Sequence, residues 1–161
     1  MMIEELHKIA AVERDDDNKF QHHIHVCMET ACIASRSDQV KQALTDAAAG
    51  KPCKVKGVGC MGLCSAGPLV KVEPEGVVYQ GVQPEDATEI VQHLGDSPVR
   101  RLECNTEAPF FKRQTKIVLE NSGLIDPERI ENYIAADGYL ALHTALNTMT
   151  PAEVIAQIAK S

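Results

Sequence analysis

Tryptophan is absent, and three phenylalanines and three tyrosines are the whole aromatic complement of the 161 residues. No aromatic platform for stacking bases stands out. Surplus positive charge is missing as well. Lys and Arg number 16 against 23 Asp and Glu, a net charge of −7, which argues against a non-specific nucleic-acid binder. No apolar run approaches the roughly 18 residues of a membrane span. The start, Met1-Met2-Ile3-Glu4-Glu5-Leu6, lacks the basic region and apolar core of a signal peptide. These absences predict a cytoplasmic protein with no nucleic-acid partner. C-x-x-C is missing, so a thioredoxin-type dithiol is excluded. No G-x-G-x-x-G or other phosphate-cradling loop occurs, so FMN and NADH are not expected to bind these residues.

Cysteine is what the chain does have: six of them, four in two tight pairs. Cys27 and Cys32 form C-x4-C. After 27 residues Cys60 and Cys64 form C-x3-C, within Val58-Gly59-Cys60-Met61-Gly62-Leu63-Cys64-Ser65-Ala66-Gly67-Pro68. In a reducing compartment such thiols point to metal or redox chemistry, and a disulfide scaffold is disfavoured. Two readings stay open on spacing alone, a [2Fe-2S] cluster and a four-cysteine zinc site. A Rieske centre would need Cys-x-His in two copies, whereas the local order is His25-Val26-Cys27. Cys53, inside a predicted strand, and Cys104, alone in a predicted linker, read as ordinary small apolar side chains.

Apolar period places the pairs. Ile3, Leu6, Ile9 and Ala10 predict a helix over 2–13, with a solvated linker from Arg14 to Lys19. Residues 20–28 alternate as a strand, with His22, His23 and His25 as polar side chains of a half-exposed surface. Ser35 or Ser37 is the expected cap of a helix over 38–49, ended by Gly50. A strand over 52–58 follows, and strand–helix–strand implies a parallel pair with a right-handed crossover. Leu69–Val72 and Val77–Gln80 predict a hairpin, and Pro84 starts a helix that buries Ala87, Ile90, Val91 and Leu94. Residues 96–108 read as a polar linker. Beyond it the pattern predicts helices alone: one from Pro109 to Glu120, one after Asp126-Pro127, one with Tyr139, Leu142 and Leu146, and one capped by Thr150 and Glu153 that buries Val154, Ile155 and Ile158.

Each cysteine pair follows a predicted strand at the same end of a parallel pair, which converges four thiolates. A [2Fe-2S] cluster takes two thiolates per iron, so Cys27 with Cys32, and Cys60 with Cys64, is the natural assignment. Gly59, Gly62 and Gly67 would allow positive φ and let backbone N–H groups face the sulfurs. No residue is read as an acid–base catalyst.

The order of these elements around G-C-M-G-L-C-S-A-G-P resembles the thioredoxin-like [2Fe-2S] ferredoxin domain, the cluster-binding subunit type of bacterial complex I and of NAD-linked hydrogenases and formate dehydrogenases. The resemblance implies an α/β thioredoxin-like fold over 20–95 with one [2Fe-2S] cluster on Cys27, Cys32, Cys60 and Cys64, and a cis peptide before Pro68. Pro109-Phe110-Phe111-Lys112-Arg113-Gln114, Gly123-Leu124-Ile125-Asp126-Pro127 and Tyr139-Leu140-Ala141-Leu142 are similar to the start of the NADH-binding flavoprotein subunit of those complexes. Together with Met2–Ala10, the whole looks like the N-terminal part of the diaphorase subunit of bidirectional NAD(P)-linked hydrogenases. The expected organisation is an N-terminal helix and linker (1–19), the ferredoxin domain (20–95), a linker (96–108) and an all-helical segment (109–161). The implied partners are a flavin- and NADH-binding domain, carrying FMN and NAD outside these residues, and other electron-transfer subunits of the parent complex.

Overall fold

Alternation in the sequence becomes a four-stranded sheet in the computed structural model, which describes residues 2–161; Met1, the first residue of the expected 1–19 segment, lies outside them. Strand β1 (His22–Cys27) runs parallel to β2 (Cys53–Val58) and antiparallel to β3 (Val70–Glu73), which pairs with β4 (Val77–Tyr79). The spatial order is β2-β1-β3-β4. The β1-to-β2 crossover carries α2 (Thr30–Ala34) and α3 (Ser37–Ala47), and α4 (Ala87–Gln92) lies against α3. One sheet face meets these helices through Ile24, Val26, Val70, Val72, Val40, Leu44, Val82 and Ile90. Each such side chain contributes about 1.5–3 kcal/mol by leaving water. This is the mixed α/β thioredoxin-like architecture that the family resemblance implied.

Four local expectations are corrected. The helical turn α2, inside C-x4-C, is too short to show an apolar period. The N-cap of α3 is Arg36 in the left-handed region (φ 70°), not Ser35 or Ser37; Ser37 is instead buried within the first turn. Gly50 has φ 74°, two residues beyond the cap Ala48. His25 is also not on a half-exposed surface. It sits on the central strand between Lys56 and Lys71, is buried, and burial pushes its pKa down to about 4.

Helix α1 (Ile3–Asp17) runs past the expected linker start at Arg14. Tertiary contacts hold its last turn. The Arg14 guanidinium donates to the Ala135 carbonyl at 2.6 Å, while Asp16 and Asp17 pair with Lys54 and Lys56 of β2. Leu6 and Ala10 of α1 pack on Ile134 of α6 (Ile130–Ala135). Beside them the buried Asn132 amide donates to Glu13 Oε1 at 2.7 Å, and Arg129 reaches Glu13 Oε2 at 2.9 Å.

The stretch 96–108 is not simply a linker. Val99, Leu102 and Cys104 are buried. Gln80 donates its amide to Leu102, and Cys104 donates its amide to Val78, which extends the β4 edge. The helix expected from Pro109 to Glu120 stops at Lys112 as α5 (Pro109–Lys112), and Ile117 and Val118 are exposed in the turns that follow. Helices α7 (Leu140–Thr148) and α8 (Pro151–Lys160) form, and the Thr150/Glu153 capping box is present. Their expected buried faces are not buried: Leu142, Leu146, Ile155 and Ile158 are all exposed. No helix among the described residues is long and apolar enough to cross a membrane.

Candidate metal centre

Register places the two cysteine loops together. Cys27 ends β1 opposite Val58, the last residue of β2, so both loops leave the same end of a parallel pair. The Cys27 amide donates to the Leu69 carbonyl at 3.0 Å, and the next amide, Met28, donates to Val58 at 2.9 Å. From there the chain turns into α2, which buries Cys32. On the other side Gly59 leads to Cys60, and a 3-10 turn over Cys64–Ala66 carries Cys64.

The loops touch closely. A β-carbon on Gly67 would lie 2.8 Å from Cys32 Sγ, so only glycine lets this backbone pass the sulfur. Of the three glycines expected to take positive φ, only Gly62 does (φ 92°); Gly67 is there for the close approach. The peptide bond before Pro68 is cis, as the family resemblance implied.

The sulfurs come as two pairs, one from each loop: Cys27 and Cys32 are both buried, and Cys60 and Cys64 lie on the loop that follows β2. Burial, then the neighbouring Cys27 thiol, pushes the Cys32 thiol up to about 12. The neighbouring Cys60 thiol pushes the exposed Cys64 thiol up as well. Both keep their protons until a cation takes the proton's place. A backbone donor reaches one sulfur: the Gly62 amide lies 3.3 Å from Cys60 Sγ. Cys27, Cys32 and Leu69 form a small apolar cluster with Met61, Leu63 and Ala66 packed on it. The inner pair is buried, whereas Cys60 is half-buried and Cys64 exposed.

This donor set is all thiol and fits a dinuclear iron cluster. The thiols come from two loops, two from each. Cys53 lies at the far end of β2 within the sheet core, and Cys104 is buried beside β4, so neither joins the site. Leu69 was not foreseen from the sequence, because the bond its carbonyl accepts from the Cys27 amide leaves no mark on side-chain pattern.

The model of the thioredoxin-like [2Fe-2S] ferredoxin family matches residues 15–95. A 2Fe-2S ferredoxin of Aquifex aeolicus (strain VF5) is 36% identical over 102 residues, covering 54% of this chain and 92% of that protein. One from Clostridium pasteurianum is 32% identical over 92 residues, covering 49% and 90%. The NADP-reducing hydrogenase subunit HndC of Solidesulfovibrio fructosivorans is 50% identical over 50 residues, 31% of this chain and 10% of that subunit. Since the family match spans both cysteine pairs and the sheet that brings them together, this chain belongs to the thioredoxin-like [2Fe-2S] ferredoxins, with their cluster as its cofactor and electron transfer as its role.

Proposed function

We propose that Cys27, Cys32, Cys60 and Cys64 are the cluster ligands, the first two on one iron and the last two on the other. The supporting observation is the register: Cys27 ends β1 opposite the last residue of β2, so the Cys27/Cys32 and Cys60/Cys64 loops leave one end of the sheet, with Gly67 packed against Cys32 Sγ. The cluster, when bound, supplies a one-electron carrier. The chain's own groups orient and shield it: the Gly62 amide faces the Cys60 sulfur, and Met61, Leu63 and Ala66 limit water. The exposed Cys64 side is where a redox partner approaches. The alternative, a zinc module with a four-cysteine site, is disfavoured by the family match; it would give a colourless protein with zinc in place of iron and acid-labile sulfide. Iron and acid-labile sulfide, measured after single Cys→Ala changes, test the assignment. Each of the four changes should abolish a stable cluster, while Cys53→Ala and Cys104→Ala should retain it. Full cluster content in any of the first four overturns it.

The finer reading is the diaphorase module of an NAD(P)-linked oxidoreductase, a bidirectional hydrogenase in the first place. The similarity to the hydrogenase subunit supports it. In this reading residues 20–95 are the cytoplasmic cluster domain. Residues 109–161 meet a flavin- and NADH-binding domain that carries FMN and NAD. The chain alone should then not be reduced by NADH, and adding such a domain loaded with FMN should allow reduction. Rapid reduction by NADH without it would refute the assignment.

A further inference from the structure

A short segment far from the cysteines in sequence lies directly on the Cys60 loop. The Ser122 hydroxyl donates to the Cys60 carbonyl at 2.7 Å. The Gly59 amide donates to the Ile125 carbonyl at 3.4 Å. Between them Gly123 adopts φ 85° and presses on Met61; a β-carbon there would come within 3.2 Å of Met61 Cγ and 3.5 Å of the Cys60 carbonyl oxygen. The segment is tied at both ends. Lys116 Nζ donates to the Ser122 carbonyl at 3.3 Å, and the Asp126 amide donates to Asn132 Oδ1 at 3.1 Å. Asn132 in turn holds the buried Glu13 of α1. None of these segment residues falls within 15–95, the span of the family match.

We propose that Ser122 and Gly123 are positioning residues for the cluster, a strap that fixes the Cys60 backbone and through it the Cys60 thiolate. This rests on Cys60 being a ligand. The Cys60 carbonyl is held from one side by Ser122, while its sulfur is held by the Gly62 amide two residues on. With both ends of the residue pinned, the thiolate keeps one direction. Hydrogen bonds and solvent access at a ligand sulfur tune a cluster's electronics, so the strap acts on them without touching iron.

The test uses the full chain with its cluster and two variants, Ser122→Ala and Gly123→Ala. The first removes the hydroxyl and little else. The second adds the β-carbon that φ 85° and Met61 disfavour. Amide exchange at Gly59–Gly62 should rise roughly threefold to tenfold in Ser122→Ala, the equivalent of one net hydrogen bond. It should rise at least as much in Gly123→Ala, while the β2 amides of Lys54 to Lys56 stay as they were. Cluster loss to an iron chelator should quicken by a similar factor. The visible circular dichroism of the oxidised cluster and the electron paramagnetic resonance of the reduced one should change in both variants. Amide exchange in the loop is read whether or not Cys60 binds iron, so it separates failure of the strap from failure of the ligand assignment. Unchanged loop exchange, or unchanged spectra and chelator kinetics in both variants, overturns the proposal. So does equal acceleration of the β2 amides, which would mean general loosening.

Discussion

Glu13 illustrates how one residue depends on its neighbours. Its carboxylate is buried between α1 and α6 and accepts from Asn132 and Arg129. Asn132→Ala takes one donor from a buried carboxylate, which costs about 1–3 kcal/mol. Chemical denaturation should read this as a lower midpoint with the slope unchanged. A loss no larger than that of an exposed site would show that water replaces the amide. Charge at the end of α1 gives a pH signature. Hydrogen bonds from Lys54 and then Lys19 hold Asp16 at about 2, below its ordinary 3.8. Burial opposes the same effect at Asp17, but Lys54 and Lys56 outweigh it. A carboxylate with a lowered folded pKa stabilises the fold above the unfolded pKa, and that contribution fades as pH falls toward the folded one. The unfolding midpoints of wild type and Lys54→Met should therefore differ near neutral pH and converge between about pH 4 and about pH 2. A gap that persists there would refute this electrostatic account.

At the scale of elements, the two ends of the chain behave differently. Helix α1 is longer than its apolar period because polar groups far along the chain hold its last turn. Helices α7 and α8 have good local signals, and α8 a full capping box, yet no residue of either is buried. Caps define where a helix starts; tertiary contact provides most of its stability, and helices this short are marginal alone. Amides of α7 and α8 should thus exchange much faster than those around Val26 and Val55. Equal protection in a demonstrated monomer would mean that 109–161 is self-sufficient. The sheet core lies at the other extreme. Leu44→Ala empties a fully buried site between α3 and the strands and should cost about 2–5 kcal/mol.

Over the whole molecule, cofactor and fold are linked. A group that binds only the folded chain stabilises it by mass action, so removing iron should lower the unfolding temperature and reconstitution should restore it. An unfolding temperature indifferent to iron would mean that the loops are held by protein contacts alone. The sequence by itself determined the sheet and the two cysteine pairs. Strand alternation, the Pro84 punctuation and the C-x4-C and C-x3-C spacings are local signals, and parallel pairing of β1 with β2 follows from chain order. Only the tertiary structure decided what depends on partners distant in sequence. It buried His25 by centring β1, drew Val99 and Leu102 into the core, and extended α1 to Asp17. It also laid Ser122 across the Cys60 loop, 62 residues away in the chain. A serine in a turn carries no periodic mark, and its role exists only once the backbone it binds has been folded beneath it.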